Sequence, residues 1–446
     1  MLNWLIFLIL IGEVIIFTFI DRCVYKTWIT PFTLLAVPYT TVSIIAFCFS
    51  QPLGFIPLYV ESVLIWVISL LVFWLGGLVI MVTLGKSFQG QIGSNYEILY
   101  EKKSLKISKV IAFFVIPVIS YHALKSVNSV GGLNGIGTED FATIYGGGLG
   151  GHLLVFSMIL FVFLIGSFQH NNSALLKLHP SHNVLNSKQT RVCNCITNKK
   201  MIFSILVSIF LLIILRQVKY LIILPFIAAL IYRFASRREK FSGGLFTFSL
   251  TLIFIFFAVS YFISFYSRMG NDTFSYGVLI FIIRHFVSYI IGGVLVMGEM
   301  YHQGIHNINI DPLKIFSPFI AIYELISSSK ITHTAITGDY NLTISLDGNK
   351  KSNVYTLFGL VFFALGPIGA TIYTLFLGFF SYLMFAISFL TRNCWLVVMW
   401  SFIGAMLVLS WFGSYFTLLM SIEVPVYCII LACLVWLFGK SNFLAR

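Results

Sequence analysis

The segment "GVLIFIIRHFVSYIIGGVLVM", Gly277–Met297, is an apolar stretch of 21 residues. A transmembrane helix needs about 20 predominantly apolar residues. Arg284 and His285 nevertheless lie near its middle, where a permanent cation costs roughly 2.5–3.5 kcal/mol on insertion scales. Charged groups at that depth normally face a water-filled cavity or a site. The segment therefore predicts a membrane protein and marks Arg284 as a candidate functional residue.

The composition of the whole chain supports this class. Of 446 residues, 59% are hydrophobic and 10% are charged, whereas soluble domains carry about 25% charged residues. Long apolar runs are typical of helices and exclude the alternating strands of an outer-membrane barrel. The sequence predicts an all-α polytopic membrane protein whose first partner is the lipid bilayer.

The net charge of +13 does not indicate a nucleic-acid partner. No basic domain interleaved with aromatic residues is present, and basic residues in short loops follow from the positive-inside rule.

Apolar runs predict about 11 (10–12) transmembrane helices and one large periplasmic loop. The run 354–390 is too long for one crossing, and we expect a break at Gly366-Pro367. The predicted spans lie near 2–20, 29–49, 59–83, 108–125, 149–168, 201–215, 220–235, 244–263, 354–390, 395–415 and 417–438.

Basic residues orient these spans. With the amino end outside, most Lys and Arg residues fall in cytoplasmic loops, and the C-terminus is cytoplasmic. The basic cytoplasmic loops are 84–107, 169–200 and 236–243.

The same orientation gives two external loops and a three-part domain organisation. One external loop is the glycine-rich segment 126–148. We expect a transmembrane bundle over 1–263, a large periplasmic loop over 264–353 and C-terminal transmembrane helices over 354–446. If 277–297 crossed the bilayer, the last spans would invert, so we expect this helix to dip into, or pack on, the external face of the bundle.

Cations on the external side are candidate anion ligands. Arg216 directly follows the apolar run "FLLIIL", and Lys219 lies one helical turn later. They fit either an interface anchor that reaches the headgroups or a phosphate contact, for which a guanidinium is suited. Arg268 and Arg284 complete the set.

Acidic and histidine side chains are candidates for proton transfer. Glu139, Asp140, Glu299 and His333 are candidate general bases that the sequence does not separate. His302 and His306 share a helix face with Glu299 nearby, but no H-E-x-x-H pattern is present. We expect no metal and no other cofactor.

The segment Ser352–Phe385, "SNVYTLFGLVFFALGPIGATIYTLFLGFFSYLMF", carries a family pattern. Its "NVYT" start at Asn353, its Gly366-x-x-Gly369 tract and the later Gly378 resemble the bacterial O-antigen polymerases (Wzy). Arg216 between two short spans is similar to a basic position of that family. Arg284 followed by Tyr289, Gly292 and Gly293 resembles another.

The resemblance implies an integral-membrane glycosyltransferase of the GT-C-like type in the bacterial inner membrane, with a periplasm-facing active site. It implies joining of undecaprenyl-diphosphate-linked oligosaccharide repeat units in lipopolysaccharide O-antigen biosynthesis. A flippase and a Wzz-like chain-length regulator are implied partners. Arg216 and Arg284 would bind the diphosphate, and the residues implied to bind substrate are Lys219, Arg268, Tyr289, Asn353 and Tyr355.

Two alternatives share this setting. An O-antigen flippase would transport the repeat unit, but transporters usually lack an external segment as long as 264–353. An O-antigen ligase differs in acceptor, and His333 keeps that interpretation open.

Overall fold

The computed structural model describes most of the chain. The described residues are 2–89, 99–132, 135–136, 138–168, 185–216, 219–236, 276–304, 312–327, 342–349, 351–352 and 355–440.

Helices make up nearly all of the described structure. They are α1 (Leu2–Tyr25), α2 (Pro31–Phe49), α3 (Val60–Gln89), α4 (Glu101–Ser129), α5 (Glu139–Gly146), α6 (Gly148–Phe168), α7 (Leu185–Leu215), α8 (Lys219–Ala235), α9 (Tyr276–His302), α10 (Ser317–Ser327), α11 (Leu357–Thr391), α12 (Cys394–Val408) and α13 (Met420–Lys440). Two 3-10 turns cover Pro312–Lys314 and Tyr415–Thr417, and β1 (Leu342–Thr343) pairs antiparallel with β2 (Lys351–Ser352).

Within the described residues, seven helices are long and apolar enough to cross a membrane: α1, α2, α3, α4, α6, α11 and α13. The apolar helices α8 and α12 are shorter. The prediction of an all-α multi-pass membrane protein is confirmed. The total of about 11 spans stays a prediction, and the predicted span 244–263 lies outside the described residues.

The chain divides into two compact units. Unit 1 comprises 1–95, 269–390 and 403–422, and unit 2 comprises 96–268, 391–402 and 423–446. The sequence-based division at residues 263 and 353 stays a prediction about the membrane layout.

Unit 1 is held together by close helix crossings and by a buried carboxylate. Gly76 of α3 and Gly378 of α11 let the two backbones meet, because a Cβ at Gly76 would lie 2.1 Å from the Leu375 carbonyl oxygen. Small residues permit such approaches between membrane helices. Asp21 of α1 is fully buried and accepts hydrogen bonds from the Tyr382 hydroxyl and from the indole N–H of Trp74.

Helix α11 contains the predicted break. Gly366 has φ +68° and ψ 176°, so the backbone leaves helical geometry there, immediately before Pro367. The prediction of a break at Gly366-Pro367 is confirmed. Proline cannot donate the helical hydrogen bond, and glycine accepts a positive φ without a steric cost.

Helix α12 ends at Val408, seven residues before the predicted end of the span 395–415. The Ser410 carbonyl oxygen accepts from the Tyr39 hydroxyl at 2.9 Å and from the Leu357 N–H at 2.8 Å. Tertiary donors thus satisfy the backbone where the apolar sequence alone would favour a longer helix.

Helix α9 contains the opening apolar segment and packs against α2, α3 and the β-hairpin of unit 1. Residues 291–298 are all buried, whereas Arg284 is exposed. The hairpin is joined to the 50–58 segment by the Ile56 N–H, which donates to the Ile344 carbonyl at 2.9 Å. The β-hairpin, which belongs to the predicted large loop, therefore packs against α9 and the 50–58 segment.

Unit 2 is arranged around α6, which is more buried than the other long apolar helices of the described residues. It packs against α4, α5, α7 and α8. Two residues of the C-terminal half of α6 make close contacts. The ring centroid of Phe163 lies 4.6 Å from that of Trp395, and Gly166 leaves space for the Tyr232 ring. These contacts hold α6 in place, so that its first turn lies against α4 and α5.

Candidate functional site

The residues Gly146–Gly151, "GGGLGG", connect α5 to α6 and are called here the glycine junction. Helix α5 begins at a Thr138 cap, whose hydroxyl accepts from the Phe141 N–H at 3.2 Å. Gly148 has φ +53°, a left-handed conformation that glycine adopts readily. The junction therefore allows a sharp change of direction and brings bare backbone close to neighbouring side chains.

The guanidinium of Arg216 lies on this backbone. A Cβ at Gly146 would be 2.4 Å from the Arg216 Cζ and Nη2, so a larger residue there would displace the cation. Arg216 follows the end of α7 in a turn in which its N–H donates to the Ile213 carbonyl at 3.3 Å. Its buried Nε has no hydrogen-bond partner within the described part of the chain.

Tyr145 links the helix that ends at the glycine junction to the helix that precedes Arg216. It is fully buried, and its hydroxyl donates to the Leu212 carbonyl at 3.0 Å, which joins α5 to α7. Burial raises the pKa of the Tyr145 phenol, and the positive charge of Arg216 opposes that rise. Tyr145 is thus a neutral donor that fixes the two elements between which the cation lies.

His122 of α4 lies at the other end of the glycine junction. Its ring stacks on Tyr145 at 6.0 Å, and a Cβ at Gly150 would be 2.1 Å from His122 Nε2. This Nε2 is buried and has no hydrogen-bond partner among the residues described. An imidazole that faces glycine backbone in this way can donate to, or accept from, a bound ligand.

The start of α6 adds backbone donors. The first N–H groups of a helix lack intrahelical partners and carry the positive end of the helix dipole. Arg216 at Gly146 and His122 at Gly150 lie on either side of the start of α6. A guanidinium, helix N-terminal N–H groups and an imidazole N–H are each suited to an anionic group.

His152, one residue after the junction, is hydrogen-bonded through its Nδ1 to the Glu423 carboxylate of α13. The pair joins the first turn of α6 to α13, and the Phe156 and Tyr427 rings meet one turn further on, at 5.3 Å. Glu423 therefore has a hydrogen-bond partner in this fold, and the contact holds α13 against the start of α6.

Of the residues predicted from sequence, Arg216 is central to this site. Asp140 is exposed, and it lies with Glu139 at the first two positions of α5. The opposite end of α5 carries Gly146, about 10 Å away at 1.5 Å per residue. An acidic residue in the first turn of a helix is also favourable for the helix dipole, which gives Asp140 a structural role at that place.

Other predicted residues belong to unit 1. Arg284 is exposed on α9, and Tyr289 stacks on Phe412 at 6.0 Å. Glu299 lies near the end of α9 beside Tyr59. Tyr355 is buried, two residues before the start of α11. The pairing of Arg284 with Arg216 stays a prediction.

The remaining predicted residues lie wholly or partly outside the described part of the chain. Arg268, His306, His333 and Asn353 lie outside the described residues, and Lys219 begins α8 with a side chain that lies outside them. Within the described ranges, no group of three or more His, Cys, Asp or Glu residues could hold a metal ion.

His122 and His152 were not among the residues predicted from sequence. Both histidines lie in apolar helices, and a single histidine there carries no local pattern. The signal was indirect: "GGGLGG" is a run of glycines at the start of a predicted span, and such a run allows side chains from other helices to approach backbone.

A family model described as a family of unknown function (DUF6337) matches residues 54–175 and 190–442. The match covers most of the chain and includes the glycine junction, Arg216 and α9. No curated protein and no solved structure matches the chain. The chain belongs to the DUF6337 family.

Proposed function

We propose that this DUF6337 protein is a membrane-embedded glycosyltransferase that joins undecaprenyl-diphosphate-linked oligosaccharide repeat units, in the manner of O-antigen polymerases. The proposal includes a GT-C-like fold, about 11 spans, an inner-membrane location with the active site facing the periplasm, and a cytoplasmic C-terminus. A flippase and a Wzz-like chain-length regulator are its proposed partners.

One observation carries the proposal. Arg216, a permanent cation, lies on bare glycine backbone at Gly146, two residues before the start of α6, and His122 lies on Gly150 of the same junction. A lipid diphosphate needs such a set of donors, because negative charge grows on its oxygens as it leaves. Arg216 follows an apolar run of α7, which is where the diphosphate of a membrane-anchored donor would be expected.

The proposed reaction is a displacement at the anomeric carbon of the donor glycan. The bond from this carbon to the diphosphate oxygen breaks, and a bond to an acceptor hydroxyl oxygen forms. The acceptor proton passes to a general base, and the lipid diphosphate leaves with the electron pair of the broken bond. Arg216 stabilises this leaving group without a metal ion.

The first test is deletion of the gene in its host, followed by electrophoresis of the lipopolysaccharide. A core that carries a single repeat unit, with no ladder above it, is the expected result, since export and ligation still operate. A core without any repeat would instead indicate a flippase or a ligase. An unchanged ladder would overturn the proposal.

The second test is complementation with variants produced at equal levels. Removing a charge-assisted contact costs about 1.5–3 kcal/mol, so Arg216→Ala should slow polymerisation by about tenfold or more. Arg216→Lys should restore it only in part, because an ammonium lacks the planar fork. Lys106→Ala is the matched control, since it removes an exposed cation of α4. Equal activity of the Arg216 variants and the control would contradict the role of Arg216.

A further inference from the structure

A second group of polar side chains lies in unit 1, where α9 ends beside the start of α3. It consists of Tyr59, Glu299, His302 and Gln303 and is called here the Tyr59 cluster. Tyr59 directly precedes α3, and Gln303 directly follows α9. Glu299 and His302 lie in the last turn of α9. Glu299 and Tyr59 are half-buried, whereas His302 and Gln303 are exposed. The cluster is thus accessible from outside unit 1 and rests on a buried helix face.

Gly298 allows the cluster to form. A Cβ at this position would lie 3.0 Å from the Tyr59 ring and 3.2 Å from the Ser62 hydroxyl oxygen. The Ser62 hydroxyl in turn donates to the Tyr59 carbonyl at 2.7 Å. The ring is therefore held against α9 by close backbone packing.

Glu299 is oriented by two donors. The Gln303 side-chain amide donates to its carboxylate at 2.5 Å, and the Tyr59 hydroxyl donates to the same group. Burial raises the pKa of the Tyr59 phenol, and the nearby charge of Glu299 raises it further, so Tyr59 stays a neutral donor. A carboxylate has about four lone-pair sites, so Glu299 can still accept from two further hydroxyls.

His302 supplies a flat surface beside this carboxylate. Its ring stacks on Tyr59 with centroids 4.6 Å apart and an interplanar angle of 14°. One face of the imidazole is covered by the phenol, and the side chain is exposed. The cluster therefore offers a planar ring, a carboxylate acceptor and an amide within one helical turn.

We propose that the Tyr59 cluster is a saccharide-binding subsite, with His302 stacked on the C–H face of a sugar ring and with Glu299 and Gln303 bonded to its hydroxyls. Sugars present an apolar face and a rim of hydroxyls that both donate and accept, and this set of side chains complements both parts. The proposal rests on the proposed function only for the identity of the sugar, which would belong to the lipid-linked repeat unit.

The test is direct binding to the purified full-length protein in nanodiscs. The probe is the oligosaccharide released by mild acid from the lipid-linked repeat units of the host, and binding is followed by saturation-transfer NMR and by titration. The variants are His302→Ala, Glu299→Gln and Tyr59→Phe. Gln51→Ala and Tyr323→Phe are matched controls, because both residues are exposed and lie outside the cluster.

We expect saturable binding to the wild-type protein and to both controls. The dissociation constant should rise about tenfold for Glu299→Gln, because a neutral amide with one acceptor oxygen replaces a charged acceptor with two, and for His302→Ala, because the stacking ring is lost. Tyr59→Phe keeps the stacked ring and should show a smaller rise. Equal binding by all variants, or no binding by the wild type, would overturn the proposal.

The design separates this inference from the proposed function. If binding depends on the Tyr59 cluster but deletion of the gene leaves the lipopolysaccharide ladder unchanged, the saccharide subsite stands and the polymerase function fails.

Discussion

The guanidinium of Arg216 lies directly on the Cα of Gly146, so that a Cβ at Gly146 would come within 2.4 Å of the Arg216 Cζ. The two residues are far apart in sequence and meet because α5 and α7 are joined by the Tyr145 hydroxyl and the Leu212 carbonyl. The Arg216 guanidinium fits here because Gly146 has no side chain and leaves the space that the guanidinium occupies.

This relationship predicts the effect of Gly146→Ala. The methyl group meets the far end of a flexible side chain, which can move at little cost, so the protein should stay folded while the guanidinium is displaced. Polymer formation should fall about as far as in Arg216→Ala. The measurement is the lipopolysaccharide ladder at matched protein levels. Gly12→Ala is the control, because a Cβ there meets nothing within 4 Å, and a normal ladder in Gly146→Ala would contradict the prediction.

His122→Phe tests the second side chain of the junction. Phenylalanine keeps a ring to stack on Tyr145 but removes Nε2. We expect near-normal thermal stability and a polymerisation rate lower by about tenfold, the cost of losing one hydrogen bond to a charged ligand. Tyr121→Phe, an exposed neighbour on α4, is the control. Full activity of His122→Phe would show that Nε2 makes no contact with the substrate.

Gly76→Ala should act on stability, in contrast to Gly146→Ala. Its methyl group would meet backbone, since the Leu375 carbonyl oxygen lies 2.1 Å and the Phe379 nitrogen 2.9 Å from the Cβ position. Helices α3 and α11 would have to separate, which costs at least about 1–3 kcal/mol. Thermal unfolding in detergent measures the effect against Gly12→Ala. An unchanged midpoint would show that the crossing can relax.

The hairpin of unit 1 should depend on acid pH through Asp347. The hydrogen bond from the Ser345 hydroxyl, followed by that from the Asn349 N–H, lowers the pKa of Asp347 below its ordinary value of 3.8. The contribution of ionised Asp347 to the stability of the hairpin is therefore fully present above pH 3.8 and is lost as pH falls through the lowered pKa. The protection of the hairpin amides against hydrogen exchange, after correction for the intrinsic rate at each pH, should fall in this window. Asp347→Asn should remove the dependence, and an identical pH profile in both proteins would contradict the assignment.

Several parts of the architecture could be predicted from residues close together in sequence. Apolar length identified α1, α2, α3 and α6 as membrane helices, because the cost of placing backbone in lipid is decided within each segment. Gly366-Pro367 predicted the break in α11, since both residues act on their own backbone.

Candidate site residues were harder to predict. Arg216 was identified because a cation at the end of an apolar run is locally unusual, and Glu299 because it lies beside histidines. Tyr59 and His122 were missed, because an aromatic residue before a span and a lone histidine within one are ordinary in sequence. Their importance comes from Gly298 and Gly150, which admit them only after the helices have packed.

The sequence by itself determined that this protein is a helical multi-pass membrane protein with a cation at Arg216, at the end of an apolar run, and a glycine-rich segment at residues 126–148. Only the tertiary structure decided that Arg216, Tyr145 and His122 meet at the glycine junction, and that Tyr59 stacks on His302. The physical reason is range: hydrophobic length and backbone propensity act over one helix, whereas a site forms where side chains from several helices fill the space that glycine leaves open.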